Sequence, residues 1–252
     1  MKFKITTSKG DYIYKLKIVY EGIKKIDKTI AKENLLLFNK IAKKNGLKYA
    51  LAYGSILGAI REHDFIEHDE DIDLAILKEH ADLFKSMLFE LRDYGFEVIR
   101  YDRRGGLCSL MRKGEYIDIY IYNKLQDGIM ETLADPMPEK YLINTKEIEF
   151  QGDIFHIPNE VEEYLLLQYG TTWRTPIQRD NFKQSEFRKV IWKIKWLIYY
   201  LLPDKLFIPW IERRGKEKII RYNRMVRKFN TACGRIIHKE LPTNCYKVYL
   251  DR

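Results

Sequence analysis

Apolar residues recur at helical spacing between Gly22 and Asn45 (Ile23, Ile26, Ile30, Leu35, Leu37, Phe38, Ile41), and Asn45-Gly46 supplies a stop. The pattern then changes. Leu47 to Tyr53 reads as a strand delivering Gly54-Ser55, Ile56 to Arg61 as a short helical turn, Glu62 to His68 as a polar loop and Asp71 to Leu77 as a second strand. A helical period returns from Glu79 to Tyr94 and stops at Gly95. Strands follow at Phe96–Tyr101, Leu107–Met111 and Tyr116–Ile121, the first two around an Arg103-Arg104-Gly105-Gly106 turn. Residues 123–146 contain Pro136 and Pro138 without a clear period and read mostly as loop. Glu147 to His156 predicts a hairpin, and Pro158-Asn159 opens a helix through Gln168. Residues 2–20 alternate loosely, as a strand or an extended arm. Residues 186–229 predict one or two long helices interrupted near Pro203 and Pro209.

Chemistry concentrates on one stretch. In an extended strand every second side chain shares a face, so Asp69, Asp71 and Asp73 would project together while Ile72 and Leu74 enter a core. Like charges so placed repel, and a hard divalent cation relieves them through oxygen ligands. Magnesium or manganese held this way keeps positions open for substrate phosphates, which points to phosphoryl or nucleotidyl chemistry. An acidic strand edge that only resists aggregation would show the same pattern. Upstream, Gly54 would let backbone amides approach an anion and Ser55 would add a hydroxyl, although an ordinary strand-to-helix turn looks alike. Asp118 is a lone carboxylate in an apolar strand, expensive there unless paired or metal-bound. It would complete a cation site with Asp71 and Asp73 or take a proton from an attacking hydroxyl; the alternative is an edge strand facing solvent. Trp173 reads as core, and Arg174 and Arg179 as solvated.

Charge adds an asymmetry. The 252-residue chain carries a net +9, yet residues 183–252 hold 18 Lys and Arg against 6 Asp and Glu, a balance of +12 that leaves −3 for the remainder. With the aromatic and aliphatic run from Val190 to Leu202, this basic segment resembles helices that lie on anionic lipid; a core-docked pair with a solvated basic face is the alternative. No signal-like apolar core and no bilayer-length apolar run is visible. Three dispersed cysteines (Cys108, Cys233, Cys245) form no zinc or disulfide framework, and a reducing, cytoplasmic setting fits.

Together the motifs resemble the LicD/fukutin family of the nucleotidyltransferase-fold superfamily. Tyr53-Gly54-Ser55-Ile56-Leu57-Gly58-Ala59-Ile60-Arg61 looks like its G-[ST]-x-L-G-x-x-R segment, and Phe65-Ile66 with Asp69-Glu70-Asp71-Ile72-Asp73-Leu74 like the F-I-P-x-D-x-D-I-D-L continuation, with Glu67-His68 where a Pro and an aromatic are usual. Tyr116-Ile117-Asp118-Ile119 is similar to its later acid-bearing strand. Pro158, Tyr164-Leu165, Tyr169-Gly170, Trp173 and Pro176 are similar to its closing pattern. The match runs over roughly residues 33–180. It implies an α+β (α/β) fold, a mixed nucleotidyltransferase-like sheet flanked by helices, with a catalytic domain over residues 1–182 and a basic helical region over 183–252.

The resemblance also implies transfer of a phospho-alcohol, such as phosphocholine or an alditol phosphate, from a CDP-activated donor to a hydroxyl of a surface glycan or glycolipid, with CMP leaving. Asp71 and Asp73 would hold Mg²⁺ or Mn²⁺ with Asp69 in support, Asp118 would bind metal or act as base, and Gly54, Ser55 and Arg61 would meet donor phosphates. The enzyme would work in the cytoplasm, with peripheral contact at the inner face of an anionic membrane. Two other readings stay open: nucleotidyl transfer from an NTP, and a non-catalytic basic module binding nucleic acid. The latter ranks last because no base-reading motif is present.

Overall fold

The computed structural model describes residues 2–17, 25–176 and 203–246, and the isolated helical positions 190, 191, 194, 197, 198 and 201. The N-terminal stretch is a hairpin, β1 (Lys2–Thr7) and β2 (Gly10–Lys15). Helix α1 (Lys28–Asn45) starts on Asp27, whose carboxylate accepts from the amides of Thr29 and Ile30, and ends at Gly46 with φ 72°. The expected helix over Gly22–Asn45 therefore begins at Lys28; residues 18–24 lie outside the described residues.

Strand β3 (Ala50–Leu51) is shorter than its apolar pattern and feeds α2 (Tyr53–Leu57), which runs into a π-helical turn over Gly58–Glu62. Then come β4 (Ile72–Leu77), α3 (Ala81–Asp93), β5 (Glu97–Asp102), β6 (Leu107–Arg112) and β7 (Glu115–Gln126).

The stretch expected to be loop is mostly ordered structure: β7 continues to Gln126, followed by β8 (Ile129–Thr132), β9 (Asp135–Pro138) and α4 (Lys140–Ile143). Pro136 and Pro138 are tolerated because β9 is an edge strand that pairs with β8 alone. A hairpin, β10 (Thr145–Phe150) and β11 (Asp153–Pro158), precedes α5 (Val161–Tyr169).

The main sheet is mixed, in the order β3-β4-β7-β6-β5, with β8 and β9 attached to β7. Only β4 and β7 run parallel, paired from Ile72↔Ile117 to Leu77↔Tyr122. Period-two alternation sorts the two faces. Ile72, Leu74, Ile117, Ile119 and Leu110 are at most 1% exposed, on the face over which α1 and α3 pack. The opposite face carries a polar file in register, Asp73↔Asp118, Asp118↔Ser109 and Ser109↔Arg100. This is the α+β architecture expected from the sequence, a mixed sheet flanked by helices.

The last helix, α6 (Asp204–Cys233), follows Pro203, where a break was expected, but passes through Pro209, where another was expected. In the second turn Pro209 forfeits a backbone bond and crowds the preceding turn, and the apolar docking of the rest of the helix outweighs that cost. Phe207, Ile211, Ile219, Tyr222, Val226 and Phe229 form the buried face against β9 and α5, and Lys218 pairs with Asp135 at 2.5 Å. Among the described residues no helix is long and apolar enough to cross a membrane.

His238 closes the end of this packing. It is 7% exposed, lies 2.8 Å from the Tyr141 hydroxyl, and burial, helped by Lys140, pushes its imidazole down to about 4 from 6.5, Glu163 opposing. The folded state resists protonation that the unfolded chain accepts. Stability from this site is present above pH 6.5 and is lost as pH falls toward 4. Thermal melts of wild type and His238→Phe across that range should show the steeper acid loss in wild type.

Candidate active site

Asp73 anchors the site. It sits on β4, 6% exposed, and its carboxylate Oδ2 accepts the Gly54 amide at 2.9 Å. Its own amide donates to Ser55 Oγ at 2.8 Å. The Gly54-Ser55 bend is thereby stitched onto β4 by two reciprocal bonds.

Asp69 and Asp71 do not share a strand with Asp73, contrary to the alternation argument: β4 starts at Ile72, and both precede it in an irregular turn. The turn still folds them back, and one carboxylate oxygen from each of Asp69, Asp71 and Asp73 lies within 4.8 Å of the others. Burial first, then the neighbouring carboxylates, hold Asp71 and Asp73 well above the usual carboxylate range; burial also raises Asp69. The cost of three charges in one place is the driving force for a cation. The donor set fits a hard one, since it is all oxygen and contains no histidine or cysteine.

Gly54 is required by proximity. A Cβ there would collide with Asp69 Oδ2 and lie 3.1 Å from Asp73 Oδ2. Its amide points at Asp73 and not into open space, so Gly54 serves the site by letting carboxylates close over a bare Cα. Gly54→Ala should spread the carboxylates and lower group transfer about 10²-fold at an unchanged fold, measurable in a transfer assay beside a thermal melt.

Ser55, 4% exposed, spends an oxygen lone pair on Asp73. Arg61 is held by Glu62, the first residue of the stretch that leads to the carboxylates, and by a backbone carbonyl. Its Nε donates to Glu62 at 2.7 Å and its Nη1 to the Trp173 carbonyl at 3.1 Å, tying the π-helical turn to the segment after α5. Trp173 is buried, as expected; Arg174 pairs with Glu162 and stacks on the Trp173 ring, and Arg179 lies outside the described residues.

Asp118 is in register beside Asp73 but outside the three-carboxylate group. It is not at a solvent-facing edge: it is 3% exposed on a central strand. Arg100 Nη2 donates to Asp118 Oδ2 at 2.7 Å, and Ser109 Oγ bridges by accepting from Arg100 Nε at 2.9 Å and donating to Asp118 Oδ1. Arg100 and Ser109 were missed from sequence. The available signal was Ser109, a lone hydroxyl inside an apolar strand.

Aromatic hydroxyls wall the site. Tyr53, at φ 35°, donates its amide to the Tyr164 hydroxyl at 3.1 Å, sits 2.8 Å from the Tyr122 hydroxyl and packs edge-on to Tyr120 at 4.8 Å. Burial raises all four phenols, so they remain neutral hydrogen-bonding groups.

A family model for the LicD/FKTN/FKRP nucleotidyltransferase domain matches residues 46–160, a span that contains the four aspartates, the Gly54-Ser55 bend, Arg61, Arg100 and Ser109. Residues 46–160 are thus similar to a LicD-type domain. Human ribitol-5-phosphate transferase FKTN is 27% identical over 165 residues, which are 62% of this chain and 35% of that protein. An uncharacterized protein of Rickettsia typhi is 29% identical over 103 residues, 41% of this chain and 32% of the relative. The chain thus spans about a third of the length of these curated relatives. Among solved structures, a lincosamide antibiotic adenylyltransferase, LnuA, aligns with a TM-score of 0.39 at 17% identity, over 64% of this chain and 93% of that one. The solution structure of the antibiotic-resistance factor ANT(2'')-Ia gives a TM-score of 0.43 at 14% identity, over 78% and 98%. The matched span begins just before β3 and ends just past β11, so it encloses the Gly54-Ser55 bend and both acid-bearing strands.

Proposed function

We propose that this protein is a divalent-cation-dependent phosphotransferase that moves a phospho-alcohol group from a CDP-activated donor to a hydroxyl of a cell-surface glycan or glycolipid. The observation that carries this reading is the convergence of Asp69, Asp71 and Asp73 within 4.8 Å against Gly54, inside a LicD-type domain. The acceptor oxygen attacks the phosphorus that bears the alcohol, the bond from that phosphorus to the CMP oxygen breaks, and the hydroxyl proton passes to a carboxylate or to water. Such displacements need positioning and charge neutralisation more than covalent catalysis. Asp71 and Asp73, supported by Asp69, would hold Mg²⁺ or Mn²⁺, which when bound supplies charge neutralisation at the phosphates. Asp118, held by Arg100 and Ser109, is the fixed neighbouring carboxylate, as an outer ligand or as the proton acceptor. The buried tyrosines, bonded to one another and to the Tyr53 amide, exclude water behind the carboxylates.

The test is incubation with Mg²⁺ or Mn²⁺ and a panel of CDP-alcohols and NTPs. Cation-dependent CMP release from a CDP-alcohol, with the headgroup recovered on an acceptor glycan, is the expected result. Pyrophosphate release from an NTP would overturn it in favour of nucleotidyl transfer.

A further inference from the structure

Val190, Ile194, Leu197, Ile198 and Leu201 are helical and 43–52% exposed. At about 100° per residue they fall within an arc of about 100°, so they form one stripe and not scattered apolar positions. Beyond Pro203 the same chemistry continues on the outward face of α6 with Leu206, 68% exposed, and Trp210, 49% exposed. The inward face of α6 is committed to β9 and α5, so these side chains have no route to the core by rotation of the helix.

The next turns of that outward face are cationic. Arg213, Arg214, Arg221, Arg224, Arg227 and Lys228 are all exposed. The acids that face them are few: Glu217 meets Arg213 and Glu240 meets Arg227, each at a loose 3.5 Å. The described positions between Val190 and Lys228 therefore pair an exposed aliphatic and tryptophan surface with a densely basic one. That is the combination interfacial helices present to acyl chains and anionic headgroups. A second copy of the chain would bring two cationic faces together, and a nucleic acid would leave the aliphatic stripe in water.

We infer that residues 190–228 dock the protein in the plane of an anionic lipid surface, without crossing it. The aliphatic stripe and Trp210 enter the headgroup boundary while the arginines meet lipid phosphates. The inference is independent of the reaction proposed above.

The test is flotation of the full chain with vesicles of phosphatidylglycerol and phosphatidylcholine, against phosphatidylcholine alone. Wild type should float with the anionic vesicles only and dissociate as salt rises. Leu197→Glu with Ile198→Glu, and separately Arg221→Glu with Arg224→Glu, should each lower the bound fraction at least about tenfold at an unchanged melting temperature. Absence of wild-type flotation would overturn the proposal. So would equal flotation of the apolar double variant, or the two glutamates converting a dimer to a monomer in sedimentation. Neither pair touches the carboxylate site, so loss of flotation with retained cation binding separates this surface from the catalytic reading.

Discussion

Asp71→Asn and Asp73→Asn are each expected to remove group transfer by about 10³-fold or more while the fold stands, since charge placed at a developing phosphoryl transition state is the largest single contribution in this chemistry. The amide keeps the geometry: Asn at position 73 still accepts the Gly54 amide, and the backbone bond to Ser55 does not depend on the side chain. Stability should rise in the absence of metal, because three crowded carboxylates, Asp73 buried and Asp69 and Asp71 half-buried, lose one member of a repelling set. The sign follows from linkage. A carboxyl raised by folding is protonated more readily in the native state, so the stability it contributes is present below the ordinary aspartate value of 3.8 and is lost as pH rises through its folded value. A divalent cation reverses that loss. At a free concentration 100-fold above its dissociation constant it should stabilise wild type by about 2.7 kcal/mol and the two variants by far less. Paired thermal melts and transfer assays decide the matter. A variant that keeps both activity and the cation shift would remove these carboxylates from the mechanism.

Arg100→Met carries the largest expected cost in stability. Its guanidinium is 15% exposed, Asp118 is 4% exposed, and each is the other's charge partner within the polar file. Removing one member of a buried pair leaves the other unpaired, a loss of about 3–5 kcal/mol. Adding Asp118→Asn to Arg100→Met should recover a substantial part of that loss, and the coupling from a double-mutant cycle in denaturant measures it. Additive losses would mean that the pair is not coupled. The activity lost by Arg100→Met would be read separately: Arg100 positions Asp118 and damps the charge felt at Asp71.

The ordered motifs were legible because each is local: a glycine-serine bend, alternating acids, a lone acid in an apolar strand. Arg100 was not, because its role depends on a register that no local pattern reports, and a bulge between Val98 and Arg100 upsets counting along β5. The acidic triplet was found for a partly mistaken reason. Alternation placed Asp69 and Asp71 on a strand, whereas a turn brings them in, and carboxylates can converge by either route. Prolines misled twice. At Pro136 and Pro138 the chain forms an edge strand, and at Pro209 a docked apolar face holds the helix together. Arg61 was assigned to phosphate because an arginine near acids invites that reading; in the structure Glu62 and the Trp173 carbonyl, three helices further along the chain, take two of its donors.

The parallel match of β4 with β7 sets a rule for how this chain can vary. The two strands share no turn that could absorb a slip, and Asp73 and Asp118 stand level only while both strands keep their count from Ile72 and Ile117. An insertion or deletion of one residue before either acid, inside its strand, would swing that carboxylate beneath the helix layer and strand its partner. Inside β4 and β7, therefore, gaining or losing a single amino acid is a more severe lesion than most substitutions.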